Sequence, residues 1–84
     1  MNFEILDPIE LLENNIFSEA SFKDNTARYD WSRFKDKKVL VRGCTSTIIP
    51  PWAFMMIGAR LTEVAQSIRF GNEHDNVTVY RRPK

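Results

Sequence analysis

Cysteine and histidine are almost missing from this chain of 84 residues, which has one of each, Cys44 and His74. A single thiol cannot close an internal disulfide, so nothing here asks for an oxidising compartment. One thiol and one imidazole also fall short of the four ligands of a structural zinc, and no metal or other cofactor is expected. Only three glycines are present, and no glycine-rich phosphate loop stands between a strand and a helix. The longest apolar run, Ile48 to Ala59, is too short to cross a bilayer and ends at Arg60. The opening Met1-Asn2-Phe3-Glu4 has neither the basic nor the apolar part of a signal peptide, so a cytoplasmic protein without membrane attachment is expected. Internal repeats and low-complexity stretches are absent as well.

What remains is the composition of an ordinary globular domain, 43% hydrophobic and 27% charged, which excludes a disordered chain. At this length one domain is expected, burying only about 60–65% of its unfolded surface, so association would help to stabilise it. The net charge of +1 conceals a division. Residues 1–30 hold seven acids and two bases, whereas residues 31–84 hold ten bases and four acids. The basic part contains Lys35, Lys37, Lys38, Arg42, Arg69, Arg81 and Arg82, which could contact phosphates. No nucleic-acid recognition motif accompanies them, so the preferred reading packs the acidic segment beside the basic remainder, and nucleic acid is not an expected partner.

Local signals divide the chain into a helical, acidic segment, residues 1–34, and a βαββ core, residues 35–84. Phe3-Glu4-Ile5 alternates like a short edge strand. Asp7-Pro8-Ile9-Glu10 predicts a helix start, with Asp7 capping, Pro8 in the first turn and Glu10 completing the box. Asn14-Asn15 ends that helix, and a second one follows from Ser18 or Ser21 to about Arg28, with Phe22 inward. Tyr29 to Phe34 is aromatic-rich; anchoring in the core outweighs a ligand platform for Trp31 and Phe34. Lys35 to Lys38 turns into a strand, Val39 to Arg42.

A helix is predicted from about Pro51 to Ala65, started by Thr47 or by Pro50-Pro51. Phe54, Ile57, Leu61 and Val64 line one apolar face, and Trp52, Met55, Met56 and Ala59 a second. One sheet cannot cover both faces, so either the N-terminal segment or a second subunit must. Gly58 costs about 1 kcal/mol relative to alanine inside a helix, which implies a close helix contact there. Ser67 to Phe70 is a strand ended by Gly71, and Val77 to Tyr80 is another, followed by a basic tail from Arg81 to Lys84. Strand, helix and strand with short connections predict a βαβ unit with a parallel pair. The fold class is therefore α/β, a small βαβ-containing sheet with helices. Its layout is comparable to regulatory modules of the sulfate-transporter/anti-sigma-antagonist type.

Gly43-Cys44-Thr45-Ser46-Thr47 falls at the carboxyl end of a parallel strand, where ligands of open α/β sheets bind. The loop after Gly71 should leave the neighbouring strand at the same edge and bring His74 and Asp75 near Cys44. Backbone N–H groups of the Pro51 helix, with the three hydroxyls, form a candidate anion site that would also activate an exposed thiol. Each residue also has a plainer reading: Cys44 packed under the helix, His74 solvated, and Thr45 to Thr47 as turn and cap chemistry. Nucleophilic catalysis would need Cys44, His74 as base, and Asp75 or Glu73 to orient it. Adjacent His74 and Asp75 do not give that geometry, so no catalytic residue is assigned.

Several segments together resemble the uncharacterised bacterial family known as domain of unknown function 2480, found chiefly in Bacteroidetes. They are Tyr29-Asp30-Trp31-Ser32-Arg33-Phe34, Lys37-Lys38-Val39-Leu40-Val41, Gly43-Cys44, and Ile49-Pro50 with Trp52-Ala53-Phe54. Ser67-Ile68-Arg69-Phe70-Gly71 and Val79-Tyr80-Arg81-Arg82-Pro83 complete the series, which runs from about Phe3 to Pro83. The resemblance implies a cytosolic α/β protein with no established activity, whose genes in several genomes lie near those for iron–sulfur cluster assembly. Members usually run to about twice this length, so this chain is similar to a single-repeat, half-length member and a homodimer would replace the second half. Members tend to carry a second cysteine after the Gly71 position; His74 stands there here, which removes a disulfide switch and leaves a Cys44–His74 pair for metal.

The expected function is a non-catalytic protein-interaction or regulatory module acting as a homodimer, with Trp52, Met55, Met56 and Ala59 as candidate interface. A thiol- or metal-linked accessory role through Cys44 and His74 is the alternative, and nucleic-acid binding through the basic part is the second.

Overall fold

The computed structural model describes residues 3–83. Four strands form one mixed sheet in the order β1-β2-β3-β4: β1 Glu4–Leu6, β2 Lys38–Arg42, β3 Ser67–Gly71 and β4 Asn76–Arg81. The first three are parallel, and β4 turns back antiparallel to β3. Two helices, α1 Glu19–Arg28 and α2 Pro51–Thr62, lie in the two parallel crossovers, together with 3-10 helices Pro8–Leu11 and Trp31–Phe34. The small α/β fold with a parallel βαβ unit expected from the sequence is present, and β1 adds a second parallel pair.

The local signals act largely as expected. Asp7 accepts from the backbone N–H of Ile9, and Glu10 reaches back to the Asp7 N–H at 3.3 Å, a complete capping box on a 3-10 rather than an α-helix. Asn14 and Asn15 both adopt left-handed backbone, which asparagine tolerates, and reverse the chain. Ser18 caps α1 by accepting from the Ser21 N–H. β4 includes Arg81, so the basic tail shortens to Arg82 and Pro83, with Lys84 outside the described residues.

Helix α2 departs from expectation in two ways. It ends at Thr62, not near Ala65, because the chain must drop back to β3, and Gln66 N–H already donates to Lys37 C=O at 2.8 Å. Its start is the Pro50-Pro51 alternative, with Pro50 at the N-cap and Pro51 in the first turn, and not Thr47. Its innermost residues are Ala53, Ile57 and Leu61, all fully buried, while Phe54 and Val64 pack at the margin. Ala53, Ile57 and Leu61 follow one another at i, i+4 and i+8, the spacing that stacks side chains on one helix face.

All helical elements pack on one face of the sheet. Leu6, Val39, Val41 and Ile68 project there, and Leu11, Phe22, Trp31, Phe34, Ile57, Leu61 and Ala65 close over them in one cluster. Phe22 and Phe34 are fully buried, each worth about 1.5–3 kcal/mol of apolar transfer. The indole N–H of Trp31 donates to the Thr26 carbonyl at 2.9 Å, and the Thr26 hydroxyl donates to the Phe22 carbonyl at 2.7 Å. Trp31 and Phe34 are core anchors. Side chains alternate along a strand, so Ile5, Lys38, Leu40, Arg42, Ser67 and Arg69 project to the other face. That face carries no helix among the described residues.

Candidate functional site

Three surfaces compete as functional sites. The carboxyl edge of the parallel strands brings the two expected loops together, since Gly43 N–H donates to Gly71 C=O at 3.0 Å. Gly43 is needed there, because a side chain would strike the ring of Phe70 at 2.6 Å. Cys44 is exposed rather than packed beneath α2. The neighbouring hydroxyls are already engaged: Thr45 donates to the Thr47 carbonyl, and Thr47 to the Asn15 carbonyl at 2.7 Å. Ser46 is exposed. Pro51 at the start of α2 supplies no N–H donor.

His74 is exposed within a turn organised by Asn72, whose side-chain oxygen accepts from the N–H groups of His74 and Asp75, both at 2.8 Å. Beside it, Arg42 meets Glu73 at 2.5 Å and Asp7 at 3.6 Å. The hydrogen bond from Arg42 holds the Glu73 carboxyl below its usual range, and the same bond raises the Arg42 guanidinium. Among the described residues, no group of three potential ligands that could hold a metal is gathered. The edge thus presents an accessible thiol.

The second surface is the outer side of α2. Here the N-terminal segment touches part of the expected interface, with Trp52 still 36% exposed. Trp52 packs edge-on against Phe17 and Phe22, at ring-centroid distances of 5.5 and 5.9 Å, and Met56 joins the core margin. Met55 remains 75% exposed, and Ala59 is exposed too. Met55 borders an apolar groove of about 220 Å³ formed with Val41, Phe54, Gly58, Ile68, Phe70 and Val79. The close contact expected at Gly58 is not made within the chain, because a side chain added there would meet nothing within 4 Å. Val77 and Val79 of β4 are 60% and 58% exposed, since α2 lies over β2 and β3 and does not reach the sheet edge.

The third surface is the helix-free face, where Phe3, Lys38, Ser67, Arg69 and Arg81, with Gln66, Arg82 and Pro83, line a concavity of about 620 Å³. Sequence reasoning named these cations without seeing them converge. The signal was present in Lys38-Val39-Leu40-Val41-Arg42 and Ser67-Ile68-Arg69-Phe70, where one parity is apolar and the charges on the other are all basic. The charge division is only partly answered within the chain: Glu10 pairs with Arg33 at 3.0 Å and Asp7 with Arg42, whereas Lys38, Arg69 and Arg81 pair with no acid among the described residues.

A family model described as "Protein of unknown function (DUF2480)" matches residues 2–82. The chain belongs to the DUF2480 family. The match spans all three surfaces, so DUF2480 membership does not choose among them. No curated protein and no solved structure matches the chain, and the reading of this DUF2480 member rests on its own geometry.

Proposed function

We propose that the protein is a non-catalytic interaction module that works as a homodimer through the β4 edge and the adjoining α2 groove. The observation that carries this reading is the groove itself. Met55 and Val79 stand exposed on a groove also lined by Gly58, where an added side chain would meet nothing within 4 Å, and Val77 is exposed on the same strand. Such a patch beside a free strand edge is a template for association.

The occupant this geometry favours is a second copy. Among the described residues, β4 is the longest strand, six residues, and its outer edge is unpaired. Two such strands meeting antiparallel about a two-fold axis near Thr78 and Val79 would place Arg81 opposite Asn76 of the second copy rather than opposite another cation. The same axis brings both sets of Val77, Val79 and Met55 onto one side of an extended sheet, burying in the dimer what the monomer leaves wet. This carries forward Met55 of the expected helix interface and replaces Trp52 and Met56 by the β4 valines. The thiol- or metal-linked reading keeps one supporting observation, an exposed Cys44 next to the Gly43 N–H that bonds Gly71 C=O.

Hydrogen exchange of the full chain at graded concentrations tests the proposal. Amides of Asn76 to Arg81 should gain protection as concentration rises, while those of β1, the opposite edge, do not. Exchange along β4 that is independent of concentration contradicts it.

A further inference from the structure

The helix-free face of the sheet carries a second site. We propose that the concavity bounded by Lys38, Ser67, Arg69 and Arg81 binds a small polyanion bearing phosphate groups.

Strand register assembles it. Lys38, Ser67 and Arg81 are aligned across β2, β3 and β4, and the next row on the same face is Leu40, Arg69 and Thr78. Two bonded neighbours hold the guanidinium of Arg69 in place: Nε donates to the side-chain oxygen of Asn76 and Nη1 to the hydroxyl of Thr78. Both partners are neutral, so Arg69 is oriented without losing its charge to an acid. Lys38 and Arg81 are exposed and take no partner in any hydrogen bond or ion pair formed by side chains of the described residues. Arg82 acts as the wall, its guanidinium drawn away to Asp36 and to the carbonyls of Val64 and Ala65.

Charge and shape then select the ligand. No carboxylate lines the concavity, so three uncompensated cations face one volume of about 620 Å³, within the range of about 300–1,000 Å³ usual for small-molecule sites. Guanidinium groups match the oxygens of phosphate, and the ammonium of Lys38 adds a point charge. A nucleic-acid strand is disfavoured, because the positive field does not continue along the sheet. The third row on this face begins with Arg42, which Glu73 and Asp7 neutralise. The face also offers one aromatic ring, Phe3, where a strand-binding surface stacks several.

The test of the site is direct. Inorganic pyrophosphate is titrated into the isotope-labelled full chain at low ionic strength while backbone amide resonances are followed. The expected result is a saturable shift of Lys38, Ser67, Arg69 and Arg81 together. Lys38→Gln and Arg81→Gln, whose side chains bond nothing in the fold, should each weaken binding about tenfold, as loss of one charge-assisted contact does. Arg42→Gln should leave it unchanged. Shifts that never saturate, that centre on other residues or that survive both substitutions overturn the proposal. So does a single-stranded oligonucleotide that produces the same shifts at lower concentration than pyrophosphate.

Discussion

Arg82 and Asp36, 46 positions apart in the chain, are joined by a 2.7 Å contact between guanidinium Nη1 and carboxylate. The second Arg82 nitrogen donates to Val64 C=O at 2.7 Å and to Ala65 C=O at 3.2 Å. One side chain thus ties the end of β4 to the turn before β2 and to the α2–β3 junction. The hydrogen bond from Arg82 holds the Asp36 carboxyl below its ordinary value, helped by the charges of Arg82 and Lys35. A depressed carboxyl contributes stability that is present at neutral pH and is lost as pH falls through the folded-state value. Asp36→Asn, which also tolerates the positive φ of 59° at this position, should lower thermal stability slightly at pH 7 and flatten its acid limb. The effect stays small because both partners are largely exposed. Melting temperatures across the acid range measure it, and parallel curves for the two proteins would contradict it.

Tyr29 provides the alkaline counterpart. Its phenol donates to Glu10 at 2.9 Å beside Arg33. Burial, then the hydrogen bond to Glu10 and the charge of that carboxylate, push its pKa up to about 12 from 10.0. A raised phenol contributes stability fully present below the unfolded value and lost as pH rises from about 10 to about 12. Ultraviolet titration of tyrosinate should resolve a late group that Glu10→Gln brings down. A titration that Glu10→Gln leaves unchanged would refute this assignment.

Two glycines should respond oppositely to alanine. Gly71 has a φ of +140°, and a side chain there would meet the Asp75 carbonyl at 2.4 Å. Gly71→Ala should therefore destabilise by at least about 1–3 kcal/mol through backbone strain. At Gly58 the space is open, so Gly58→Ala should stabilise the folded chain by up to about 1 kcal/mol. Chemical denaturation at low protein concentration reads both, and equal signs would contradict the assignment.

The aromatic segment gives a test of core polarity. Trp31→Phe removes the indole donor and leaves the buried Thr26 carbonyl without it, which should cost about 1–3 kcal/mol beyond the lost volume. A denaturation midpoint equal to that of the native chain would show that the indole bond contributes nothing.

Features encoded within a few residues were legible in the sequence, and those set by distant packing were not. The Asp7 capping box, the Asn14-Asn15 reversal, strand β2 and the glycine that ends β3 all depend on neighbours along the chain. The openness at Gly58 depends on how far α2 falls short of β4. It does not follow from helical spacing alone. The loops of Cys44 and His74 were expected at one edge and do lie together, because parallel β2 and β3 require it. The convergence of Lys38, Arg69 and Arg81 needed the register of three strands, one of which carries an irregularity opposite Ile68 and Arg69.

Solution mass by light scattering, for the native chain and for Met55→Glu, tests the central claim most directly. Twice the 9.8 kDa chain mass is expected for the native protein. A folded monomer is expected for the variant, because Met55 already stands exposed and its replacement costs the single chain little. A native chain that remains at 9.8 kDa throughout the concentration range, or a dimer that Met55→Glu leaves intact, would contradict it.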